Sequence, residues 1–157
     1  MRLYLVQHGE AKTKEQDPDR PLTARGESSV DRIAVLVKAA GICVGAVWHS
    51  GKTRAAQTAE ILRSSLASTE GIVVHDGLEP NDPIEPVQRE LAGVSADIMI
   101  VGHLPFLSKL VSALLIGDET IELVAFQNGG VVCLERGEEK GRWRLSWAVV
   151  PDLFGAR

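Results

Sequence analysis

Two short apolar runs in this chain end in the same kind of polar turn. Leu3-Tyr4-Leu5-Val6 leads into Gln7-His8-Gly9, and Ile98-Met99-Ile100-Val101 leads into Gly102-His103. Unbroken apolar runs of this length are typical of strands buried on both faces of a parallel sheet. Ligands bind at the carboxyl ends of such strands. The pattern therefore predicts that two histidines far apart in sequence contribute to one site.

Strand-like and helix-like patterns alternate along the rest of the chain. The predicted helices cover about 23–40, from near 52 to 64, about 84–91, and the segment after Pro105. The further predicted strands are 46–48, 72–74 and 97–101, followed by an antiparallel hairpin of 130–134 with 143–149. This alternation predicts an α/β fold, a three-layer sandwich with a mainly parallel central sheet flanked by helices and with antiparallel edge strands.

Length and composition narrow the class of protein. A chain of 157 residues predicts one domain over 1–157. No apolar run approaches the roughly 20 residues that span a bilayer, and no signal-peptide pattern is seen, so we expect a cytoplasmic protein without a membrane partner. A net charge of −4 and the lack of a basic stripe argue against nucleic acid.

The two cysteines give a weaker indication of the compartment. Cys43 and Cys133 lie in apolar segments and lack a CxxC spacing. We predict free buried thiols in a reducing compartment, with a disulfide as the alternative.

Polar residues follow several of the predicted strands, and their chemistry suits phosphate. If the strands are parallel neighbours, His8, Arg54, His103 and the loop residue Arg20 converge at one edge. Cationic guanidinium groups disfavour a metal ion, so we expect neither a metal nor another cofactor. Arginine provides paired donors that match phosphate oxygens, and a neutral imidazole is a nucleophile able to form a covalent intermediate.

Four motifs in order resemble one protein family. They are Leu5-Val6-Gln7-His8-Gly9-Glu10-Ala11, Arg20-Pro21-Leu22-Thr23 with Gly26, the segment from Ser50 through Arg54 to Thr58-Ala59, and Val101-Gly102-His103-Leu104-Pro105. Together they resemble the histidine phosphatase (phosphoglycerate mutase-like) superfamily, and within it the small SixA-type phosphohistidine phosphatases.

The resemblance implies a role for each matching residue. It implies that His8 accepts the phosphoryl group, that His103 hydrogen-bonds it, and that Arg54 binds its oxygens. Arg20 is expected to add a second cationic contact, and Gly9 to let the backbone approach the bound group. Ser50 has two open interpretations, because it can cap the second helix or face the phosphate.

One position departs from the family pattern. The motif usually reads Arg-His-Gly, whereas this chain has Gln7. A glutamine amide can donate a hydrogen bond to phosphate but carries no charge. We therefore expect Gln7 to contact phosphate and to weaken transition-state stabilisation, with Lys52 as a possible compensating charge.

The leaving group and its proton donor are the remaining question. Larger members of the superfamily use a carboxylate after the third strand as general acid, and Glu79 is the candidate here. An imidazole leaves more easily than an alkoxide and needs no strong acid, which favours a phosphohistidine substrate on a protein. Two alternatives remain open: a weakened phosphate- or phosphoprotein-binding module, and a small-molecule phosphomonoesterase of the same superfamily.

Overall fold

The structure is a computed structural model that describes residues 1–139 and 141–155. Its described elements, in chain order, are β1 (Arg2–Gln7), α1 (Ala24–Ala39), β2 (Cys43–Val44), β3 (Ala46–His49), α2 (Thr53–Arg63), β4 (Ala67–Ser68), β5 (Ile72–Val74), α3 (Glu85–Gly93), β6 (Ile98–Gly102), α4 (Phe106–Ile116), β7 (Val131–Arg136), β8 (Trp143–Val149) and a 3-10 helix (Pro151–Phe154). The predicted helices and strands are all present, within a few residues of their expected ends.

The central sheet has the predicted mixed topology. Within the described residues its strand order is β5-β3-β6-β1-β7-β8. The first four strands in that order are mutually parallel, and β7 and β8 add an antiparallel edge. The sequence did not predict the small parallel sheet of β2 and β4, because runs of two residues carry no periodic signal.

Helices cover both faces of this sheet, so the predicted three-layer α/β sandwich is confirmed. Leu3 and Leu5 of β1 point into a core shared with Leu91 and Leu110 on α3 and α4. Tyr4 and Val6 point to the opposite core, which contains residues of α1 and α2. Successive side chains of a strand face opposite ways, and both faces are covered here, which explains the unbroken apolar run.

The long polar loop between β1 and α1 is closed at its base. Ala11 and Leu22 form an antiparallel bridge. The Thr23 amide donates to the Glu10 carbonyl oxygen at 2.9 Å. The Thr23 hydroxyl caps α1 by accepting from the Gly26 amide at 2.9 Å, and it donates to a Glu10 carboxylate oxygen at 2.8 Å. The loop is therefore anchored at both ends beside the strand that carries His8.

The cysteine prediction is wrong for one thiol. Cys133 is buried in β7 as expected, but Cys43 is exposed because it lies on the short strand β2 outside the central sheet. Both are free thiols. The single domain over 1–157 stays a prediction, and residues 140, 156 and 157 lie outside the described residues.

A pair of helical glycines tests the contact between the first loop and α1. A Cβ on Gly26 would collide with the Glu10 carbonyl oxygen, whereas a Cβ on Gly93 would meet nothing within 4 Å. Gly26→Ala is expected to lower the free energy of unfolding by roughly 1–3 kcal/mol, because backbone must move to make room. Gly93→Ala, the matched control, should be neutral or stabilising by about 0.5–1 kcal/mol. Urea denaturation of both variants measures the difference, and equal stabilities would contradict the contact.

Candidate active site

Parallel strands deliver the candidate residues to one edge of the sheet. The register of β1 and β6 sets Gln7 opposite Gly102, so His8 and His103 leave the sheet side by side. Their ring centroids lie 5.0 Å apart. Ser50 follows the end of β3, which is the other neighbour of β6. The strand order thus brings together residues from three separate parts of the sequence.

His8 is hydrogen-bonded at both ring nitrogens. Its Nδ1 lies 2.7 Å from the carbonyl oxygen of Gly9, and because a carbonyl only accepts, this nitrogen carries the proton. Arg54 Nε donates to His8 Nε2 at 3.3 Å, which requires a lone pair on that nitrogen. His8 is therefore a neutral imidazole whose Nε2 lone pair faces the Arg54 side chain.

His103 is fixed from one side only. It is 1% exposed, and its Nε2 lies 2.6 Å from the Ser50 hydroxyl oxygen. Its Nδ1 is buried and has no hydrogen-bond partner among the described residues. An unpaired buried polar atom costs about 1–3 kcal/mol, so a bound group that pairs with Nδ1 would be favoured.

Both imidazoles are held in the neutral form. Burial lowers the pKa of His8 to about 4; the Gly9 hydrogen bond opposes this shift, and the positive charges of Arg54 and Arg20 lower the pKa further. Burial also lowers the pKa of His103 to about 3, assisted by His8, Arg54, Lys52 and Arg20. At neutral pH the site combines uncharged histidines with cationic side chains, an arrangement that attracts an anion and leaves His8 Nε2 without a proton.

Gln7 lies half-buried at the end of β1. Its side-chain oxygen Oε1 is buried and has no partner among the described residues, whereas its backbone oxygen accepts from the Gly129 amide at 2.9 Å. The charge that the family pattern provides here is thus replaced by an unsatisfied carboxamide oxygen. Lys52, the expected compensating charge, instead pairs with Glu79 at 3.6 Å.

Gly9 lies in a closely packed position between β1 and α1. Its amide donates to the Thr58 hydroxyl at 2.9 Å, and its carbonyl oxygen accepts from His8, so both polar groups are engaged within the protein. A Cβ at this position would lie 2.9 Å from Val30 Cγ2 and 3.1 Å from the Gly26 carbonyl oxygen. The close packing of β1 against α1 thus accounts for a glycine here, and the expected approach of its backbone to a bound group stays a prediction.

Ser50 does not cap the second helix. The residue at the N-cap of α2 is Lys52, and no side chain caps it. The Ser50 hydroxyl accepts from the Lys52 amide at 3.3 Å and contacts His103 at 2.6 Å. Of its two open interpretations, capping is wrong because the chain turns once more at Gly51 before the helix begins.

Arg20 is held at the mouth of the site by its loop. Its backbone is left-handed, with φ of 50°, a conformation that costs a non-glycine residue about 1 kcal/mol. The Arg20 amide donates to the Asp17 carbonyl oxygen at 3.0 Å, and its side-chain Nε donates to the Lys12 carbonyl oxygen at 3.1 Å. The loop thus fixes a guanidinium group close enough to His8 to lower the pKa of that imidazole.

A polar cleft of about 550 Å³ opens outward from Arg54. Its charged lining residues are Lys14, Asp19, Arg20, Lys52, Glu79 and Asp82, together with Arg54. The Glu79 side chain is 59% exposed and is engaged with Lys52. Glu79 therefore lies in the outer cleft, largely in solvent and in an ion pair with Lys52, and its role as general acid stays a prediction.

Sequence reasoning missed residues that hold the site together. Thr58 is fully buried on α2 and binds the Gly9 amide. Asn128 Nδ2, from the turn before β7, donates to the His8 carbonyl oxygen at 3.1 Å. Thr58 was detectable, because it is a polar residue on the same helical face as Ala55, Ala59 and Leu62. Asn128 carried no such signal, since Asn-Gly is common in turns.

Neither a metal-binding cluster nor a membrane-spanning helix is found among the described residues. In the ranges 1–139 and 141–155, no group of three or more His, Cys, Asp or Glu side chains is arranged to hold a metal ion. In the same ranges, no helix combines the length and apolar character needed to cross a membrane.

Comparison with known proteins identifies the family. The sequence profile of the histidine phosphatase superfamily (branch 1) matches residues 3–80. An uncharacterized protein of Picosynechococcus sp. is 30% identical over 144 residues, covering 87% of this chain and 86% of that protein. The chain belongs to the histidine phosphatase superfamily. It is accordingly a phosphatase, a hydrolase whose substrates are phosphorylated proteins or small molecules.

Solved structures of superfamily members share the fold over almost the whole chain. The protein histidine phosphatase SixA complexed with tungstate superposes with a TM-score of 0.86 at 24% identity, covering 99% of this chain and all of that one (100%). The alpha-ribazole phosphatase from Shigella flexneri has a TM-score of 0.68 at 18% identity, covering 92% of this chain and 94% of that one. The α/β architecture of this phosphatase is therefore the superfamily fold, and the SixA structure resembles it more than the ribazole phosphatase does.

Acid is expected to destabilise this phosphatase through His8 and His103. Their pKa values are 6.5 in an ordinary environment and about 4 and about 3 in the folded protein, so the unfolded state binds more protons below pH 6.5. The stability that the two neutral histidines contribute is fully present above pH 6.5. As the pH falls below that value, each histidine lowers the free energy of unfolding by up to about 1.4 kcal/mol per pH unit. The free energy of unfolding is measured by urea denaturation at about pH 7.5 and about pH 5. Between these two pH values it should fall less for His103→Gln than for the natural protein. An identical loss in both proteins would contradict the buried, neutral His103.

Proposed function

We propose that this protein is a phosphohistidine phosphatase that acts on phosphorylated proteins through a phosphoryl group carried on His8 Nε2. The observation that carries the proposal is the pair of contacts on the His8 ring. The Gly9 carbonyl holds the proton on Nδ1, and Arg54 presents an N–H to Nε2. A neutral imidazole with an unprotonated Nε2 beside a guanidinium group is suited to attack phosphorus.

In the first step the phosphoryl group moves from one imidazole to another. The His8 Nε2 lone pair forms a bond to phosphorus while the bond from phosphorus to the substrate imidazole nitrogen breaks. That electron pair stays on the leaving nitrogen, and a substrate ring protonated on its other nitrogen departs as neutral imidazole. The Arg54 Nε–H that donates to His8 Nε2 donates instead to a phosphate oxygen once the phosphoryl group is bound, and arginine keeps its proton.

In the second step water removes the phosphoryl group from His8. A water oxygen bonds to phosphorus, the bond from phosphorus to Nε2 breaks, and the Nε2 lone pair is restored. One proton of the water passes to solvent or to the phosphate that is released. His8 retains its Nδ1 proton throughout, because the Gly9 carbonyl oxygen accepts it at 2.7 Å.

Charge on the transferring oxygens is stabilised from several sides. Arg54 is the nearest cation, and Arg20 reaches the same site from its loop. His103 Nδ1, buried and unpaired, supplies a hydrogen bond when it carries the proton. Ser50 orients that ring through its 2.6 Å contact with Nε2. These groups are positioned before the substrate binds, which is the main source of rate enhancement in phosphoryl transfer.

The position of Glu79 supports an imidazole leaving group. Glu79 is exposed and paired with Lys52 in the outer cleft. An alkoxide leaving group depends on proton donation, whereas a protonated imidazole does not. The outward-facing polar cleft beside Arg54 is also compatible with a phosphorylated side chain presented by another protein. The likeness to SixA is a further support.

Gln7 favours a second candidate function. A site that lacks a charged contact can bind phosphate more readily than it transfers it. The second candidate is therefore a binding module for phosphate or phosphoproteins with little turnover. A small-molecule phosphomonoesterase is a third outcome of the same test.

Substrate comparison with a nucleophile variant distinguishes these functions. The natural protein and His8→Ala are incubated with a phosphohistidine-bearing protein and with a chromogenic phosphate ester, and released phosphate is measured. We expect faster release from the phosphohistidine protein and none above background with His8→Ala. Binding without release supports the module, and faster hydrolysis of the ester supports the phosphomonoesterase. Release that persists in His8→Ala would contradict the assignment of the nucleophile.

Restoring the charge at position 7 is expected to accelerate the reaction. Gln7→Arg replaces an unpaired carboxamide oxygen with a guanidinium group able to bind phosphate through two donors. Turnover of the phosphohistidine protein should rise about 10²-fold, as expected for a contact worth a few kcal/mol. Gln7→Lys, which adds charge without the paired donors, is the matched control and should give a smaller gain. Unchanged turnover in Gln7→Arg would mean that Gln7 does not limit the rate.

A further inference from the structure

We infer that Thr58 is a positioning residue of the reaction, because its hydroxyl closes a circuit of four hydrogen bonds that locks His8 and Arg54 together. The catalytic part of this inference rests on the proposed function. The structural part, the fixed orientation of the His8 ring, can be tested without any turnover.

The circuit runs through two side chains of α2 and the turn after β1. His8 Nδ1 donates to the Gly9 carbonyl oxygen at 2.7 Å, and the Gly9 amide donates to Thr58 Oγ1 at 2.9 Å. Thr58 Oγ1 donates to the Arg54 carbonyl oxygen at 2.8 Å, and Arg54 Nε donates to His8 Nε2 at 3.3 Å. The path therefore returns to the ring from which it started.

The direction of every hydrogen bond in the circuit is determined. The Gly9 amide can only donate, so the Thr58 oxygen accepts from it. The Thr58 proton must then go to the Arg54 carbonyl, which can only accept. Arg54 Nε is always a donor, which leaves His8 Nε2 as acceptor and Nδ1 as donor. A hydroxyl at position 58 satisfies this order because it accepts one hydrogen bond while donating another.

The surroundings of Thr58 indicate that its hydroxyl is present for this circuit. Thr58 is 0% exposed and lies on the apolar face of α2 between Ala55 and Ala59. A threonine hydroxyl bonded to the carbonyl four residues earlier slightly destabilises a helix, so helix formation alone does not account for it. Without the hydroxyl the buried Gly9 amide would lose its partner, and the turn that sets the His8 ring would be free to shift.

Three variants separate the hydroxyl from the shape of the side chain. Thr58→Val keeps the branched shape and removes the hydroxyl, and Thr58→Ser keeps the hydroxyl and removes a methyl group. Ile33→Val is the control for stability, because Ile33 is fully buried in the same core but outside the circuit. If Thr58→Val does not fold, Thr58→Cys takes its place, since a thiol is a weak hydrogen-bonding group of similar size.

Two readouts are measured on each folded variant. Nitrogen-15 NMR of the imidazole rings reports which His8 nitrogen carries the proton, with the His8 signals assigned by their loss in His8→Gln. Release of phosphate from the phosphohistidine protein gives kcat. We expect Thr58→Val to show a mixture of His8 tautomers and a kcat about 10- to 100-fold lower, a range typical of small displacements of a reacting group. Thr58→Ser should retain the Nδ1–H form and stay within about 3-fold of the natural kcat, and Ile33→Val should change neither.

The results that would overturn the inference are distinct from a failure of the proposed function. A Thr58→Val protein that keeps the single Nδ1–H tautomer overturns it, whatever its rate. A Thr58→Ser protein impaired as strongly as Thr58→Val also overturns it, because the shape and not the hydroxyl would then matter. If the natural protein itself releases no phosphate, the proposed function fails, and the tautomer readout alone decides whether Thr58 holds the ring.

Discussion

The hydrogen bond from His8 Nδ1 to the Gly9 carbonyl oxygen, 2.7 Å long, is the contact on which the chemistry of the site depends. It selects the ring nitrogen that keeps the proton and leaves the other with a lone pair. The packing of the molecule supports it directly, since Gly9 lies against Val30 and Gly26 of α1 with no room for a side chain. From the turn before β7, the Asn128 side chain and the Gly129 amide both donate to the His8 carbonyl oxygen and so hold the same turn.

The electrostatics of the site follow from burial and from where the cations are placed. Two imidazoles lie 5.0 Å apart, and burial keeps both of them uncharged at neutral pH. Arg54 and Arg20 supply fixed positive charge that an entering phosphoryl group would neutralise. Gln7 reduces this charge at the position where the family pattern has arginine, and its buried oxygen is unpaired. The balance between binding and turnover therefore depends on how far the remaining arginines stabilise the transition state.

Much of the fold and part of the site could be predicted because they depend on local patterns. The buried run Leu3–Val6 indicates a central strand by its unbroken apolar character, and the first helix, predicted over about 23–40, spans Ala24–Ala39. The proximity of His8 and His103 follows because each histidine comes directly after one of two neighbouring parallel strands, β1 and β6. What the sequence could not supply is the set of contacts between distant segments. The Ser50 hydroxyl contacts His103 instead of capping α2, and Glu79 forms an ion pair with Lys52 in the outer cleft. Cys43 is exposed because it lies in the small sheet of β2 and β4. Strands of two residues leave no periodic pattern in the sequence, so this sheet was not predicted.

Trapping the phosphorylated protein tests the central claim most directly, because it reports both the residue and the ring nitrogen. The natural protein is mixed with a phosphohistidine-bearing protein, quenched rapidly in alkali to preserve the bond between phosphorus and nitrogen, and examined by peptide mass spectrometry and phosphorus-31 NMR. A phosphoryl group on Nε2 of His8, absent from His8→Ala, is expected, since Nδ1 is committed to the Gly9 carbonyl. A phosphoryl group on Nδ1 of His8, or on another residue, would contradict the role assigned to this hydrogen bond.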